Sequence, residues 1–247
     1  MTSSPAAPPC FLVMAKPPVP GRVKTRLTPA LSPEQAAAVH AAMFTALLTR
    51  LHRFVESGQA ALTVALALPD VPTAAEKRTA ALHEAFAGYP DALNALLGLD
   101  LAVVSQGQGD LGQRIANAWP QDAPAVVLGV DSPDLPEAHL RGALEAPATH
   151  GAAIGPTGDG GYWTLAACRP PQPLLGLPPH ARIDWGTPAV YDQSHRNARE
   201  ADLPLADLPP WHDVDTPDDL QRLRDRLTET TDPALQHLAD QLRAILN

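Results

Sequence analysis

Apolar runs of strand length alternate with helical segments along most of this chain, and this alternation limits the fold more than any other feature. Most of the strand runs are apolar throughout, as expected of strands buried on both faces. They are Phe11 to Ala15, Leu62 to Leu68, Leu101 to Val104, Val126 to Val130 and Ala152 to Ile154. The pattern places helices between them at 32–56, 74–87, 110–119 and 136–145. The alternation predicts an α/β fold with a mostly parallel sheet and right-handed crossovers.

The pattern changes after Gly155. A strand from Gly161 to Ala167 follows its predecessor so closely that an antiparallel excursion is expected. Two helices end the chain, one beginning at Thr216-Pro217 and the other at Asp232-Pro233, each with a capping residue followed by proline. No internal repeat or long linker divides the chain. We therefore predict a single domain over 1–247, ending in a helix at 232–246.

Composition excludes several classes of protein. The 27 acidic and 18 basic side chains leave a formal charge of −9, which argues against general binding to nucleic acid or anionic membranes. Only Cys10 and Cys168 are present, too few for a disulfide framework or a cysteine-rich zinc site. The first nine residues lack the features of a signal peptide, and no apolar run is long enough to span a bilayer. We predict a cytoplasmic protein without membrane insertion, and a homodimer remains open.

A basic loop follows the first predicted strand. It carries four cations in eleven residues and no acidic residue before Glu34. Because ligands of open α/β sheets bind at the carboxyl ends of the strands, these cations are placed to neutralise phosphates. A solvated basic loop is the alternative. The loop residues assigned to phosphate binding are Lys16, Gly21, Arg22, Lys24, Thr25 and Arg26.

Carboxylates follow the fourth predicted strand and precede the helix at Thr216. Asp131 comes just after a buried strand, a position suited to a ligand of Mg²⁺ or Mn²⁺, although a turn is the alternative. Asp218 and Asp219 fit the first turn of a helix. Asp213 and Asp215 have no such explanation, so one of them could supply a second metal carboxylate.

Two further segments are candidates for contacting an acceptor or a sugar. The glycine-rich segment 155–162 allows the backbone to approach a ligand closely, although a tight connection between strands explains it equally well. In the second segment, Asp184 and Trp185 could line an acceptor pocket, or Trp185 could simply pack. The residues assigned to this pocket are Asp159, Gly160, Gly161, Tyr162, Asp184 and Trp185.

One motif favours a different function. Gly107, Gly109 and Gly112 match Gly-x-Gly-x-x-Gly between a strand and a helix, with Asp131 nineteen residues on. This pattern is typical of dinucleotide-binding folds. It is short and common by chance, however, and the basic residues lie on another loop.

Six segments in this order resemble one family. They are Met14 to Leu27, Leu111 to Arg114, Gly129 to Pro133, Gly155 to Tyr162, Ile183 to Thr187 and Asp213 to Leu220. Together they resemble the bacterial glycosyltransferase-A-like family of unknown function DUF2064, some members of which are labelled arsenosugar-biosynthesis glycosyltransferases. The resemblance implies a Rossmann-like nucleotide-diphospho-sugar transferase (GT-A) fold with a mixed, mostly parallel sheet of about seven strands flanked by helices.

The resemblance also implies roles for individual residues. Relatives of the family use a basic first loop, so that Lys24 and Arg26 would meet the phosphates of the nucleotide. Arg114, in the second of the six segments, is also assigned to phosphate binding. Asp131 and Asp215 would hold a divalent metal, Mg²⁺ or Mn²⁺, since related cytidylyltransferases carry a metal aspartate in a similar Val-Asp-Thr-Pro segment. Lys24 and Asp131 are the expected catalytic residues.

Two reactions use such equipment. A glycosyltransferase moves a sugar from a nucleotide sugar to a small acceptor, with the metal stabilising the leaving diphosphate. A nucleotidyltransferase instead joins a nucleoside monophosphate to a phosphorylated substrate and releases pyrophosphate, a reaction in which Lys24 would balance the triphosphate charge. We expect glycosyl transfer, with nucleotidyl transfer, a dinucleotide enzyme and a non-catalytic binding protein as alternatives.

Overall fold

The computed structural model describes residues 7–247. Within that range, seven strands belong to one sheet. They are β1 (Cys10–Ala15), β2 (Ala61–Leu66), β3 (Ala102–Ser105), β4 (Ala125–Leu128), β5 (Ala152–Pro156), β6 (Tyr162–Ala167) and β7 (Leu205–Asp207). Residues 1–6, on which the signal-peptide argument partly rests, lie outside the described residues.

The strand order is β3-β2-β1-β4-β6-β5-β7. β6 runs antiparallel to both β4 and β5, and the other neighbouring pairs are parallel. The carboxyl ends of β1 and β4 therefore meet side by side at one edge of the sheet. This arrangement confirms the predicted α/β fold with a mixed, mostly parallel sheet and an antiparallel strand after Gly155.

Eight α-helices flank the sheet in the described residues. They are α1 (Pro33–Glu56), α2 (Ala75–Ala85), α3 (Pro90–Gly98), α4 (Leu111–Ala118), α5 (Glu137–His150), α6 (Val190–Glu200), α7 (Pro217–Leu227) and α8 (Pro233–Leu246). A 3-10 turn at Thr25–Leu27 lies in the basic loop. None of the helices described is long and apolar enough to cross a membrane.

The two faces of the sheet bury separate layers of helices. Phe11 and Val13 of β1 face the larger apolar cluster, which includes residues of α1, α3, α5, α7 and α8. Leu12, between them, faces a smaller cluster with Ile115 of α4 and Ala198 of α6. This alternation on one central strand explains its continuous apolar sequence, because both faces are covered.

Local sequence signals account for the starts of four of the eight helices described, α1, α4, α7 and α8. Ser32, Asp110 and Thr216 each accept a hydrogen bond from a backbone amide of the first turn and complete a capping box. Asp232 caps α8 in a similar way, by accepting from the Ala234 amide.

Other details of the sequence prediction were wrong or incomplete. The sequence predicts a helix capped by Thr187, but α6 begins later, with Ala189 at the N-cap position. α5 continues to His150 with Pro147 inside it, beyond the predicted end at 145. α3 and β7 were missed, because α3 is a short helix without a polar cap and β7 has only three residues.

Candidate active site

The basic loop and Asp131 meet at the carboxyl edge of the sheet, since β1 and β4 are parallel neighbours. The Nζ atom of Lys24 lies 2.5 Å from Oδ1 of Asp131. The Lys24 side chain is 4% exposed, whereas that of Asp131 is 48% exposed. The cation is therefore buried beneath a carboxylate that faces solvent.

The segment before α7 completes this group. The Val214 amide donates to the Asp131 carbonyl at 2.9 Å, which fixes the segment against the loop after β4. Asp215 consequently lies with one carboxylate oxygen 3.4 Å from Lys24 Nζ and the other 3.0 Å from Arg26 Nη1. The structure thus brings together the two residues that the resemblance assigned to a metal.

A pocket of about 280 Å³ opens beside these residues. Its lining includes five of the six loop residues assigned to phosphate binding, and Gly21 shapes the loop with a positive φ of 74° instead of lining the pocket. The lining residues are Met14, Lys16, Arg22, Val23, Lys24, Thr25, Arg26, His40, Gly129, Val130, Asp131 and Asp215. Arg114 lies on α4, where its Nε atom donates to the Gly109 carbonyl at 2.8 Å.

The charges of this pocket are set by its neighbours. Although about half of the Asp131 side chain is open to the pocket, the protein around it acts to raise its pKa by desolvation. The Lys24 ammonium, with a smaller contribution from Lys16, outweighs this effect and holds the pKa below its ordinary value. Burial lowers the pKa of His40, whose Nε2 lies 2.9 Å from the Lys16 carbonyl oxygen. Asp131 is therefore anionic and His40 neutral at pH 7.

Three carboxylates form a second group on the other side of Asp215. Asp159, Asp213 and Asp215 each offer an oxygen, and these atoms lie within 4.8 Å of one another. Burial raises the pKa of Asp213 to about 6, with further contributions from the charges of Asp159 and Asp215. Such mutual repulsion is relieved by a cation, so the group has the oxygen ligands that a hard divalent metal prefers.

The loop after β4 is held in place by a buried arginine of α1. Arg50 donates to the carbonyls of Pro133 and Leu135 at 2.7 and 2.6 Å. Asp134 of this loop accepts from Arg226 of α7 at 2.6 Å. These contacts connect the loop that carries Asp131 to two helices, and they give Asp134 a structural role.

The residues assigned to an acceptor pocket fall into two groups. Asp159 lines a pocket of about 340 Å³ together with Arg26, Asp213 and Asp215, so it belongs beside the phosphate-binding loop. Gly160 and Gly161 belong to the loop that carries Asp159. At Gly160, a φ of 87° and the close approach of the Pro188 carbonyl leave no room for a side chain. The Gly161 amide donates to Asp159.

The second group lies in packed surroundings. The rings of Tyr162 and Trp185 meet edge to face at 6.5 Å, and burial raises the pKa of Tyr162. Trp185 also lies against Gly112 of α4, and Asp184 accepts from Gln193 of α6 at 2.6 Å. These contacts favour packing for Trp185 over direct contact with a ligand.

The Gly-x-Gly-x-x-Gly motif has a structural explanation at all three glycines. Gly107 and Gly109 adopt positive φ in the loop between β3 and α4. A Cβ atom at Gly112 would lie 1.9 Å from the Leu175 carbonyl oxygen, so glycine is needed there for close packing. The motif therefore does not require a dinucleotide.

Sequence reasoning missed two features of the site. The sequence marks His40 only as one of several histidines in predicted helices, yet it lines the pocket from α1. The pairing of Asp159 with Asp213 was also missed, although the Asp-Gly-Gly sequence after β5 marked Asp159 as a residue held in a tight turn.

The sequence that builds this site matches a known family over part of its length. The model of a family described as uncharacterized proteins conserved in bacteria, DUF2064, matches residues 51–187. This chain belongs to the DUF2064 family. The match spans α4, Asp131 and Asp159, whereas the basic loop and Asp215 lie outside it. No curated protein matches the chain.

Solved structures share the fold. A protein from Desulfovibrio desulfuricans G20, provisionally assigned as a nucleotide-diphospho-sugar transferase, is 28% identical to this DUF2064 protein, with a TM-score of 0.73 and 97% of each chain covered. A nucleotidyl transferase from Methanothermobacter thermautotroptrophicus is 15% identical, with a TM-score of 0.51 over 88% of this chain and 96% of that one. The second likeness concerns the fold alone.

A third structure is more distant. Rv0371c from Mycobacterium tuberculosis H37Rv, in complex with manganese, is 19% identical and covers 87% of this chain and 97% of its own, with a TM-score of 0.45. Its manganese is a property of that protein, and the overlap is too low to extend it to the DUF2064 chain.

Proposed function

We propose that this protein is a metal-dependent glycosyltransferase that uses a nucleotide-sugar donor. The observation that carries the proposal is the convergence of the basic loop, Asp131 and Asp215 on one pocket at the carboxyl edge of the sheet. The similarity to the Desulfovibrio protein supports a transferase that uses a nucleotide.

The basic residues of the pocket suit the diphosphate of a nucleotide. Lys16, Arg22 and Arg26 line it with positive charge, and Arg26 also pairs with Asp215. Arginine forks and lysine ammonium groups neutralise phosphate oxygens. We assign the diphosphate of the donor to this basic wall.

The carboxylates fit a divalent metal, Mg²⁺ or Mn²⁺. Asp131 and Asp215 would hold it, and Asp159 and Asp213 lie close enough to Asp215 to contribute. A metal of this kind stabilises the negative charge of a departing diphosphate. Oxygen atoms from several carboxylates, together with substrate phosphates, are its usual ligands.

We propose that a small acceptor enters the neighbouring pocket of about 340 Å³. That pocket shares Arg26 and Asp215 with the phosphate pocket, so an acceptor there would lie beside the sugar of the donor. Asp159 and Gly158 line it from the loop after β5. The single-domain organisation and the cytoplasmic location remain predictions.

A second candidate function is nucleotidyl transfer. Four cations line the phosphate pocket against two carboxylates, an excess of positive charge that also suits a triphosphate. In that reaction a phosphorylated substrate attacks the α-phosphorus and pyrophosphate leaves.

A thermal-shift panel separates the two functions. Nucleotide sugars and nucleoside triphosphates are each added with Mn²⁺ or with a chelator, because a ligand at about 100 times its Kd stabilises the native state by about 2.7 kcal/mol. A Mn²⁺-dependent rise in Tm with one nucleotide sugar supports glycosyl transfer. A rise with a triphosphate alone favours nucleotidyl transfer, and no rise with any nucleotide contradicts both.

A further inference from the structure

Three oxygen atoms surround the ammonium group of Lys24. Oδ1 of Asp131 and the Val214 carbonyl oxygen each lie 2.5 Å from Nζ, and Oδ1 of Asp215 lies at 3.4 Å. Two carboxylates and a backbone carbonyl that converge on one point form the kind of oxygen cage that binds a hard cation. In this structure the cation inside it is the side chain of Lys24.

The backbone of Lys24 is also unusual. Its φ of 47° and ψ of 38° place it in the left-handed region, which residues other than glycine, asparagine and aspartate rarely adopt. Such a conformation persists where the surrounding contacts hold it. Here the Lys24 carbonyl accepts from the Leu27 amide at 2.9 Å, and the ammonium group adds its contacts with the three oxygens. The present shape of the loop therefore depends in part on the same oxygens that suit a metal.

We propose that Lys24 is a tethered counter-ion that a divalent metal displaces from Asp131 and Asp215. The inference rests on the proposed function, which supplies the metal and gives the released ammonium a phosphate as its partner. Mg²⁺ binds oxygen at about 2.0–2.1 Å. A metal bound to Oδ1 of Asp131 would therefore compete with Nζ for the same oxygen and repel it. Metal and ammonium occupy the carboxylate pair alternately.

The phosphate pocket receives the displaced side chain. Lys24 already lines that pocket together with Lys16 and Arg22. When a nucleotide is present, its phosphates replace the carboxylates as partners of the ammonium. Metal binding and nucleotide binding then favour each other. The metal frees the Lys24 ammonium to contact phosphate, and the phosphates draw the ammonium away from the carboxylates that bind the metal. Without a nucleotide, the metal must compete with Lys24.

The three-carboxylate group offers a clear alternative. A metal held by Asp159, Asp213 and Asp215 would leave Lys24 on Asp131. The two arrangements differ in whether Lys24 moves, and a measurement of metal binding alone can separate them.

The first test is a Mn²⁺ titration without nucleotide. The electron paramagnetic resonance signal of free Mn²⁺ measures how much of the metal is bound. Lys24→Met removes the ammonium, so we expect it to bind Mn²⁺ about tenfold more tightly than wild type, a typical coupling between two sites. Arg26→Met is the matched control: it removes a positive charge that also pairs with Asp215 but is not in the cage, so we expect a smaller gain. Equal gains in Mn²⁺ affinity for the two variants, or no gain for Lys24→Met, would overturn the proposed exchange of the Lys24 ammonium for the metal.

The second test uses wild-type protein and does not depend on how the variants fold. The sequence contains three lysines, Lys16, Lys24 and Lys77. Lys77 is exposed on α2, whereas the Lys24 side chain is buried. We expect Mn²⁺ alone to increase acetylation of Lys24 by an amine-reactive ester severalfold relative to Lys77, as measured by mass spectrometry.

Unchanged labelling of Lys24 at saturating Mn²⁺ would place the metal elsewhere and overturn the exchange. That outcome leaves the nucleotide panel unaffected, since a Mn²⁺-dependent rise in Tm with a nucleotide sugar would still support the proposed function. Conversely, a protein in which Mn²⁺ releases Lys24 but no nucleotide binds would keep the exchange of cations and contradict the transferase.

Discussion

The amide of Val214 donates to the carbonyl of Asp131 at 2.9 Å, joining two segments that are far apart in the sequence. This backbone hydrogen bond places Asp215 within reach of Lys24, which also contacts Asp131. Because the bond involves main-chain atoms, substitution of either aspartate removes a charge without removing the bond that positions the other. Single substitutions can therefore test the site.

Asp131→Asn should abolish metal-dependent binding of a nucleotide. Loss of a partner outside the ligand sphere already weakens metal binding about 10- to 100-fold, so loss of a ligand should cost at least about a hundredfold. The measurement is the Mn²⁺-dependent part of the nucleotide-induced Tm shift. Asp225→Asn, an exposed change on α7, is the control, and an unchanged shift for Asp131→Asn would remove that residue from the site.

Asp215→Asn should reduce Mn²⁺ affinity more than Asp213→Asn does. Asp215 belongs to both carboxylate groups, through Lys24 on one side and through Asp159 and Asp213 on the other. Calorimetric titration of both variants with Mn²⁺ ranks them. The reverse ranking would assign the main metal carboxylate to Asp213.

Gly112→Ala should lower the free energy of unfolding by about 1–3 kcal/mol, the range for overpacking a well-packed site. The added methyl group would lie 1.9 Å from the Leu175 carbonyl oxygen. Gly142→Ala in α5 is the matched control, because a Cβ atom there meets nothing within 4 Å. We expect that change to stabilise the protein by up to about 1 kcal/mol through helix propensity. Equal effects in urea unfolding would contradict the packing explanation.

NAD should leave the Tm unchanged, since the three glycines of the Gly-x-Gly-x-x-Gly motif are explained by turns and packing. Titration of NAD in the same thermal-shift assay checks this. A clear rise in Tm would restore the dinucleotide hypothesis.

Asp232 should make stability depend on pH in the acid range. Burial acts to raise the pKa of Asp232, but hydrogen bonds from Arg53 and Arg50 outweigh it and lower the pKa from 3.8 to about 2. A carboxyl group with a lowered pKa in the folded protein stabilises it fully above the unfolded value, and this stabilisation is lost as the pH falls through 2.

We therefore expect Asp232→Asn to lower the free energy of unfolding by about 2 kcal/mol at pH 7 and by much less near pH 2. Urea unfolding at both pH values gives the comparison. Asp240→Asn on the same helix removes an exposed pair with Arg243 and should cost less than about 1 kcal/mol at either pH. A loss for Asp232→Asn that does not change with pH would show that its charge is not the cause.

The sheet was predictable because its central strands are short apolar runs between well-capped helices. Phe11 to Ala15 is apolar throughout, and Ser32, Thr216 and Asp232 mark helix starts by the chemistry of their own side chains. β7 could not be predicted in the same way, because a three-residue edge strand depends on its partner β5 for its conformation.

The sequence by itself determined the fold class, the family resemblance and the loops that carry charge, because periodicity, capping and turn chemistry act over a few residues. Only the tertiary structure decided which charges meet. The strand order puts β1 beside β4, the Val214 hydrogen bond brings Asp215 to Asp131, and these contacts bury Lys24 between two carboxylates. These contacts cannot be predicted from spacing along the chain, since distances across a sheet depend on how distant segments pack.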